Sequence, residues 1–426
     1  MNLDDWLDYQ QRVHPRAIAL GLERVRKIWI RLATPEPAPV VITVGGTNGK
    51  GSTVAFLEAM LRAAGKRVGA FTSPHLKRYN ERVRIDGVDV DDAAFVAAFE
   101  RIEAARGDVS LTYFEYGTLA ALLLFADAKL DVALLEVGLG GRLDAVNLVD
   151  ADAAIVTTVD FDHQDWLGHE RDGIGREKAG IFRAARPAIV GELDPPQGLL
   201  DEAARVGADV RRLGRDFAID VGVDGWRWRS GDVALSLPPP SLDAPCQHEN
   251  AAAAITALHA LRARLGWHPD AVASGVAKAR VPARLQRFAS EPALVIDVAH
   301  NPQAARVLAA WLASHPIAGR TLAVFGALAD KDIGGIVAPL REAISRWHLA
   351  SLATDSPRGL DASALAERVR AEHAAADVAG MHDDVTAALE AAFATAAEGD
   401  RVIAFGSFFV AAPALAFADA RGFKRG

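Results

Sequence analysis

The chain has 426 residues, half of them hydrophobic, and a formal net charge of −8 at pH 7. This length exceeds that of a typical single domain, so two domains are predicted. The negative charge argues against a general nucleic-acid partner or an anionic membrane surface.

A single cysteine, Cys246, rules out an intramolecular disulfide and suits a reducing compartment. The chain opens with MNLDDWLDYQ, which does not have the basic and then apolar pattern of a signal peptide. The most apolar run, at 119–126, is too short to span a bilayer. A cytoplasmic protein is therefore expected.

The first elements of the chain predict a β-α-β unit. Apolar residues at helical spacing indicate helices at 4–13 and 22–32. A β-branched strand at 40–44 is followed by a glycine-rich loop, a helix and a second strand at 67–71. This order is typical of a parallel sheet.

The loop between that strand and helix reads GGTNGKGST and predicts a phosphate site. Glycines let a phosphate approach backbone N–H groups at a helix N-terminus, and Lys50 adds a positive charge. Ser52 or Thr53 can bind phosphate or magnesium. The loop departs from the usual P-loop pattern because Gly51 separates Lys50 from Ser52. The alternative is a glycine turn that only caps a helix.

Polar side chains follow the next strands of the predicted sheet. The stretch TSPHLKRYNERVRIDG, after the second strand, predicts a loop that handles an anionic acceptor. Strands at 132–137 and 153–158 lead to Glu136 and His163, which could hold magnesium or manganese together with a serine hydroxyl. Each residue alone could equally be structural. Lys178 lies on a short predicted helix, where a solvated lysine is the ordinary alternative.

A second α/β pattern follows a change in periodicity at VPARLQRF. Its first strand ends in Asp297 and His300, and its last strand is predicted to be VIAFGSFFV. We therefore predict a domain at 1–280, a linker at 281–290 and a second domain at 291–426. The predicted fold class is α/β: a mostly parallel P-loop sheet in an N-terminal ATPase domain and a smaller Rossmann-like C-terminal domain.

Eight ordered motifs carry a resemblance to a known family: GTNGKGS, SPHLKRYNERVRIDG, LEVGLGGRLDAVN, DHQDWLG, REKAGIF, HENAAAA, VPARLQRF and DVAHNP. Together they resemble the folylpolyglutamate synthase and dihydrofolate synthase family, a branch of the ATP-dependent amide ligases that includes the Mur ligases. The similarity extends from AIALGLERV near residue 20 to GSFF near residue 407.

The resemblance implies a reaction. ATP would phosphorylate a carboxylate to an acyl phosphate, and the amine of L-glutamate would displace phosphate to form an amide. A bifunctional ligase would join L-glutamate to dihydropteroate and add further glutamates to folates. The implied partners are these small molecules, without nucleic acid or membrane, and the family suggests a monomer.

The resemblance also implies roles for individual residues. Catalysis would involve Lys50, Lys178, as a carbamylated lysine, and His300. Magnesium would be bound by Ser73, Glu136 and His163, and a monovalent cation could assist. The ATP contacts would be Thr47, Asn48, Gly49, Lys50, Gly51, Ser52, Asn250, Arg284 and Asp297.

A surface for the pterin substrate is implied in the same way. Its residues would be Leu20, Gly21, Thr112, Tyr113, Phe114, Glu115, Leu143, Asp144 and Ala145. Phe114 could stack on a flat ring and Glu115 could accept ring N–H groups. From the residues alone, TYFE is a helix start with buried aromatics. Ala19 departs from the acidic residue that bifunctional bacterial members often carry at that position.

Three other functions compete with this prediction. The chain could have only the folylpolyglutamate synthase activity, or it could be a Mur-type amino-acid ligase. A Mur-type ligase would need a separate N-terminal domain, and the glycine loop begins at residue 45. A P-loop motor or switch ATPase would hydrolyse ATP without glutamate or a pterin.

Overall fold

The computed structural model describes residues 1–16 and 18–425. Ala17, the first residue of the AIALGLERV segment, and Gly426, the last of the predicted second domain, lie outside them. The chain forms two compact units. The first comprises Met1–Asp160, Gln164–Ser241 and His248–Arg280, and the second comprises Phe161–His163, Leu242–Gln247 and Val281–Gly426.

The first unit contains the helices and strands up to Lys278, except that Gln247, the first residue of the helix Gln247–Ala260, belongs to the second unit. Its helices are α1 (Leu3–Val13), α2 (Glu23–Leu32), α3 (Lys50–Ala63), α4 (Asp92–Arg106), α5 (Tyr113–Ala128), α6 (Gln164–Leu167), α7 (Arg171–Ala179), α8 (Gln197–Val206), α9 (Gln247–Ala260), α10 (Arg262–Leu265) and α11 (Pro269–Lys278). Its strands are β1 (Val40–Gly45), β2 (Val68–Phe71), β3 (Val83–Ile85), β4 (Val88–Asp89), β5 (Val132–Glu136), β6 (Ala153–Val156), β7 (Pro187–Val190), β8 (Asp209–Arg212), β9 (Ala218–Val221), β10 (Trp226–Ser230) and β11 (Val233–Leu237).

The second unit contains the remaining elements. Its strands are β12 (Gln286–Ala289), β13 (Ala293–Ile296), β14 (Thr321–Phe325), β15 (Arg346–Ala350), β16 (Val378–His382), β17 (Arg401–Phe405) and β18 (Lys424–Arg425). Its helices are α12 (Pro302–Ser314), α13 (Ile333–Val337), α14 (Ala362–Glu372), α15 (Val385–Thr395) and α16 (Phe408–Ala420). Short 3-10 helices lie at Tyr79–Arg82, Ala145–Leu148 and Ala338–Leu340.

The first unit is built on an eight-stranded sheet with the order β4-β3-β2-β5-β1-β6-β7-β8. The six strands from β2 to β8 in this order pair in parallel, and β3 and β4 add an antiparallel edge. Every residue of β1 and β5 is buried, which explains their continuous apolar sequences. A separate antiparallel sheet has the order β11-β10-β9, in which β10 and β11 form a hairpin.

The second unit is built on a seven-stranded sheet with the order β16-β15-β14-β17-β13-β12-β18. The strands from β16 to β13 pair in parallel, and β12 and β18 are antiparallel. Two mainly parallel sheets with intervening helices confirm the predicted α/β fold class.

The structure differs from the sequence prediction in two elements of the second unit. The predicted last strand, VIAFGSFFV, ends at Phe405, because Gly406 has a φ of 116° and the Ser407 side chain accepts a hydrogen bond from the N–H of Phe409 to start α16. The predicted linker at 281–290 contains β12, which pairs with β13. The functional assignment of the two domains stays a prediction.

Candidate functional site

The first unit brings four loops to one edge of its sheet. The strands β2, β5, β1 and β6 are parallel neighbours, so the loops after their carboxyl ends meet at that edge. These loops contain the glycine-rich segment, Ser73, Glu136 and the segment that leads to Asp160. The carboxyl edge of a parallel sheet is the usual place for a ligand site.

Hydrogen bonds to the neighbouring loop hold the glycine-rich segment in place. The N–H of Thr47 donates to the carbonyl oxygen of Thr158 at 2.7 Å, and the Thr47 hydroxyl donates to that of Asp160 at 3.0 Å. Lys50 begins α3, and its Nζ donates to the carbonyl oxygens of Gly46 and Thr47 at 3.0 and 3.1 Å. The lysine charge is thus held against the loop itself.

Three glycines of this segment lie close to neighbouring side chains. Gly49 has a φ of 86°, and a Cβ atom there would lie 2.4 Å from Oδ1 of Asn250. Gly46 has a φ of 139°, and its Cβ would lie 1.9 Å from Oγ1 of Thr157. At Gly51 a Cβ would lie 3.7 Å from Oε2 of Glu136.

A backbone cradle of this kind at the N-terminus of a 14-residue helix fits the phosphates of a nucleotide. Gly51, which the common P-loop pattern lacks, places no side chain next to the Glu136 carboxylate. Ser52 and Thr53 are buried on the first turn of the helix.

The predicted metal ligands are divided between the two units. Glu136 is buried at the end of β5, and its Oε2 accepts a hydrogen bond from the N–H of Ser73 at 3.1 Å. Their carboxylate and hydroxyl oxygens fit a magnesium ion, which prefers hard oxygen ligands. His163 belongs to the segment Phe161–His163 of the second unit, where its φ is 51°.

Lys178 lies in the last turn of α7 and is only 4% exposed. The segment LEVGLGGRLDAVN packs against this end of the helix. Arg142 forms an ion pair with Glu177 at 2.8 Å, and a Cβ atom at Gly141 would lie 2.9 Å from the carbonyl oxygens of Glu177 and Lys178. Lys178 is therefore not the solvated helix lysine that its sequence context alone would favour.

The predicted substrate residues are partly brought together. The N–H of Gly21, which follows Leu20, donates to the carbonyl oxygen of Leu143 at 3.1 Å. The ring of Phe114 lies 5.9 Å from that of Phe71, and its Cζ would lie 2.6 Å from a Cβ at Gly138. Gly138 thus makes room for the predicted stacking ring.

Glu115 is engaged by the protein itself. Its Oε2 accepts from the N–H of Thr112 at 2.7 Å, and the Thr112 hydroxyl accepts from the N–H of Glu115, so the pair forms a capping box at the start of α5. Its Oε1 accepts from Nε of Arg24 at 3.0 Å. The structure therefore shows that TYFE forms the start of a helix, as its residues alone indicate.

Asp144 also has protein partners. Its two oxygens accept from the N–H groups of Leu139 and Val146 at 2.8 and 3.0 Å, and the neighbouring Ala145 begins a 3-10 helix. Burial raises the pKa of the Asp144 carboxyl to about 6, even though these hydrogen bonds and the Lys50 charge lower it. Part of the Asp144 population is therefore protonated near neutral pH.

In the second unit, Asp297 follows β13 and is bonded to two backbone N–H groups. Its oxygens accept from Leu285 and Ala299, both at 2.7 Å. Burial raises its pKa, and the Arg284 charge opposes this shift. The Arg284 guanidinium lies 5.8 Å from the ring of Phe408.

His300 and Asn301 contact Asp162, a residue to which sequence reasoning assigned no role. Nζ of Lys331 donates to Oδ1 of Asp162 at 2.7 Å, and both side chains are nearly buried. Oδ2 of Asp162 lies 3.4 Å from Nε2 of His300 and 3.3 Å from Nδ2 of Asn301. We call these four residues the Asp162 cluster.

The charge on Asp162 is stabilised by its surroundings. Burial by itself would raise the pKa of its carboxyl, but the hydrogen bond and charge of His300, together with the charges of His163 and Lys331, lower the pKa well below the usual range. Asp162 is therefore an anion at neutral pH.

Sequence reasoning missed Asp162, although it is the first residue of the motif DHQDWLG, and it missed Lys331. The polar context of each residue was the only available signal, because 169 positions separate the two residues. It also missed Arg24, whose guanidinium bridges Glu115 and the carbonyl oxygen of Ala19.

Within residues 1–16 and 18–425, no group of three or more His, Cys, Asp or Glu side chains could hold a metal ion. No helix in the same part of the chain is both long and apolar enough to cross a membrane.

Comparison with known proteins identifies two domain families. Residues 44–218 match the Mur ligase middle domain, and residues 283–408 match the Mur ligase glutamate ligase domain. The dihydrofolate synthase/folylpolyglutamate synthase of Escherichia coli K12 is 46% identical over 98% of this chain and 96% of its own length. That of Mycobacterium tuberculosis is 35% identical over 84% of this chain and 79% of its own length.

Comparison with solved structures identifies proteins of the same name. Escherichia coli FolC in complex with DHPP and ADP has a TM-score of 0.92, 46% identity and 99% coverage of both chains. A bifunctional folylpolyglutamate synthase/dihydrofolate synthase from Yersinia pestis, complexed with AMPPNP and a Mn ion, has a TM-score of 0.89, 46% identity and 98% coverage of both chains. The chain belongs to the dihydrofolate synthase/folylpolyglutamate synthase family of Mur-type, ATP-dependent ligases.

Proposed function

We propose that this chain joins L-glutamate to dihydropteroate to give dihydrofolate and adds further glutamates to tetrahydrofolate. ATP phosphorylates the acceptor carboxylate, the glutamate amine attacks the acyl phosphate, and an amide, ADP and phosphate are released. Family membership supports this reaction, since relatives of 46% identity that span nearly the whole chain carry both activities in their names.

The observation that carries the proposal is the geometry of the glycine-rich loop. Thr158 accepts from the backbone N–H of Thr47 and Asp160 accepts from its hydroxyl. The positive-φ glycines leave no room for side chains, and Lys50 is fixed against the loop. In this proposal, Thr47, Asn48, Gly49, Lys50, Gly51 and Ser52 bind the ATP phosphates. The Lys50 charge and the α3 dipole stabilise the negative charge that develops during phosphoryl transfer.

Ser73 and Glu136, with His163, would hold the Mg²⁺ ion that the reaction needs; when bound, that ion neutralises phosphate charge. A solved relative is complexed with AMPPNP and Mn, which supports divalent-metal binding at such a site. The adjacent Gly51 places no side chain beside the Glu136 carboxylate. A monovalent cation is a further proposed participant.

Lys178 is proposed to be carbamylated. Its burial next to the LEVGLGGRLDAVN segment supports a specific role, since lysine is rarely buried without one. Carbamylation would convert the ammonium into an anion, which suits a site that holds a divalent cation.

The pterin is proposed to bind along the surface that contains Leu20, Gly21, Thr112, Tyr113, Phe114, Glu115, Leu143, Asp144 and Ala145. The Gly21–Leu143 hydrogen bond and the Phe114 ring beside Gly138 support the grouping. Glu115 and Asp144 keep their protein partners in this proposal and use their remaining lone pairs for ring N–H groups.

Asn250, Arg284 and Asp297 are proposed to contact the nucleotide, and His300 is proposed to position phosphate or the incoming amine. Asn250 Oδ1 lies next to the Gly49 backbone, which supports its part in this assignment. The division into an ATP-binding domain at 1–280 and a glutamate-ligase domain at 291–426 belongs to the same proposal.

The enzyme is further proposed to act as a cytoplasmic monomer without nucleic-acid or membrane partners. The net charge of −8 supports the absence of a polyanionic partner. Light scattering of the purified chain at assay concentration is expected to give the mass of one chain, and a stable dimer mass would contradict the monomer.

A substrate panel with ADP detection tests the proposed function. Dihydropteroate and tetrahydrofolate are each supplied with and without L-glutamate, and ADP release is expected with both pterins only when glutamate is present. Response to tetrahydrofolate alone would leave only the folylpolyglutamate synthase activity, and release without glutamate would favour a motor or switch ATPase. Activity only with a uridine-nucleotide acceptor would favour a Mur-type ligase.

Two variants complete the panel. Lys50→Ala, purified in the same way, controls for a contaminating ATPase because it removes the charge at the loop. Lys178→Ala is expected to keep less than about 1% of wild-type turnover, a loss typical of an essential electrostatic group. Wild-type turnover in Lys178→Ala would overturn the carbamate proposal.

A further inference from the structure

Arg82 is a nearly buried cation in the polar stretch that follows β2. It ends the 3-10 helix Tyr79–Arg82, and its residue is only 8% exposed. Taking a guanidinium out of water is costly unless an anion compensates its charge. Arg82 has no carboxylate within ion-pair distance in the part of the chain that the structure describes.

Its only side-chain hydrogen bond within the described ranges goes to a histidine. Nε of Arg82 donates to Nδ1 of His75 at 2.9 Å, and the two terminal nitrogens donate to no described residue. Other arginines of the same stretch are paired: Arg84 with Glu58 at 2.9 Å and Arg78 with Asp92 at 3.0 Å. The free fork of Arg82 is therefore a local exception.

Two tyrosine rings hold the guanidinium in position. Its Cζ lies 5.3 Å from the ring centre of Tyr79 and 5.5 Å from that of Tyr113. Tyr79 is itself tightly packed, since it is only 4% exposed. Its hydroxyl lies so close to Gly117 that a Cβ atom at that position would be 2.6 Å away. Cation–π contacts partly offset the burial cost and leave the terminal N–H groups available.

Arg82 is also next to the proposed pterin surface. Tyr113, over which it lies, is the first residue of α5 and precedes Phe114, the proposed stacking residue. Phe114 in turn packs on Phe71, the last residue of β2. A ligand ring could stack on Phe114, while the Arg82 guanidinium beside Tyr113 could bind an anionic group. This arrangement matches a ligand that is aromatic at one end and anionic at the other.

We propose that Arg82 binds a carboxylate of the pteroyl substrate through its two terminal nitrogens. This inference rests on the proposed function. A guanidinium fork matches a carboxylate in bidentate geometry, which fixes orientation as well as charge. The carboxylate is either the benzoate group of dihydropteroate or the glutamyl α-carboxylate of a folate, and both share the chemistry that Arg82 recognises.

Binding of matched acids and amides tests the proposal. The probes are dihydropteroate and its carboxamide, and tetrahydrofolate and its α-carboxamide, titrated against wild type, Arg82→Gln and Arg82→Lys by tryptophan fluorescence. Wild type is expected to bind at least one acid about 10- to 100-fold more tightly than its amide, which corresponds to one charge-assisted bidentate contact. In Arg82→Gln this ratio falls to about 1, and Arg82→Lys, which keeps the charge without the fork, is intermediate.

Arg78→Gln is the matched control, because it removes an exposed arginine of the same stretch and is expected to keep the wild-type ratios. A ratio that collapses for dihydropteroate identifies the benzoate carboxylate, and one that collapses only for tetrahydrofolate identifies the α-carboxylate. If both ratios in Arg82→Gln equal those of wild type, the proposal is wrong. If Arg82→Gln does not fold, an unchanged ratio in Arg82→Lys overturns it.

The same experiment separates this proposal from the proposed function. Failure of wild type to bind or turn over any pterin would remove the proposed function. Normal wild-type turnover with unchanged acid-to-amide ratios in the variants would remove only the role of Arg82. A merely structural Arg82 would lower stability without changing these ratios.

Discussion

The glycine-rich loop of the first unit and the Asp162 cluster of the second are built by opposite means. The loop has glycines where its neighbours leave no room for a side chain, and hydrogen bonds from Thr47 to Thr158 and Asp160 hold it in place. The cluster consists of side chains whose charges compensate one another in a nearly buried position. The loop is thus sensitive to added atoms, whereas the cluster is sensitive to a lost charge.

The largest effect is expected when the cluster loses one charge. Lys331→Met removes the lysine charge and leaves the nearly buried Asp162 carboxylate with His300, Asn301 and the N–H of His163. Breaking such a pair costs about 3 kcal/mol of unfolding free energy. Urea denaturation of the full chain measures this loss. The double variant Asp162→Asn/Lys331→Met is expected to recover part of it, because no buried charge remains unpaired.

A control with an exposed ion pair sharpens this result. Arg341→Gln removes the partner of Glu372 at the surface of the second unit and is expected to cost at most about 1 kcal/mol. Equal losses in Lys331→Met and Arg341→Gln would show that the cluster stabilises no more than a surface pair does.

An added methyl group is expected to disturb the loop. Gly49→Ala combines a positive φ with a Cβ 2.4 Å from Asn250, so we expect the KM for ATP to rise about 10-fold, or about 1.4 kcal/mol. Steady-state kinetics with varied ATP measure it. Gly65→Ala is the matched control, since Gly65 has a φ of 75° and no atom within 4 Å of its Cβ position.

Comparison of the two variants separates the effect of backbone strain, which both have, from the effect of the clash with Asn250, which only Gly49→Ala has. Gly65→Ala is expected to lose about 1 kcal/mol of stability while its KM for ATP stays at the wild-type value. A wild-type KM in Gly49→Ala would contradict the interpretation of the loop as a tightly shaped phosphate site.

A pH-dependent effect on stability is expected from a pair of histidines that belongs to neither region. His348 is 2% exposed, and its Nδ1 lies 3.3 Å from Nε2 of His382. Burial, and then the charges of His382 and Arg346, lower the pKa of His348 to about 4, below its unfolded value of about 6.5. The folded state therefore binds fewer protons than the unfolded state.

Stability from His348 is present above pH 6.5 and is lost as the pH falls toward 4. We expect a loss of about 2 kcal/mol over this window, measured by urea denaturation at several pH values. His348→Gln is expected to flatten the pH dependence, and the exposed His268→Asn is expected to retain it. A His348→Gln variant that loses as much stability on acidification as wild type would contradict this assignment.

The parts of the molecule that follow from local pattern were predictable from the sequence. Buried strands such as β1 and β5, the start of α3 after the glycine loop and the hairpin of β10 and β11 have local periodicities that match the structure. The α/β class follows from their alternation with helices. The boundary errors at Phe405 and at β12 arose where one backbone angle or a distant pairing partner decides the outcome.

Groups of side chains that meet only in the folded protein were harder to predict from the sequence. Lys50 and Gly49 belong to one contiguous motif, so their proximity follows from spacing. Asp162 and Lys331 meet only because of the tertiary fold. Of the two arginines of NERVR, Arg84 has a carboxylate partner, and Arg82 has none among the described residues. Burial and the absence of a partner are properties of the folded chain, which no local pattern encodes.

The membership of Phe161–His163 in the second unit has a consequence for biosynthesis. The residues on both sides of this tripeptide belong to the first unit, yet Lys331, the ionic partner of Asp162, lies 169 positions further along the chain. At 5 to 20 residues per second, a ribosome needs roughly 10 to 30 s to synthesise this interval. During that time Asp162 remains without Lys331, so the nascent chain completes this site only after the strand β14 has emerged.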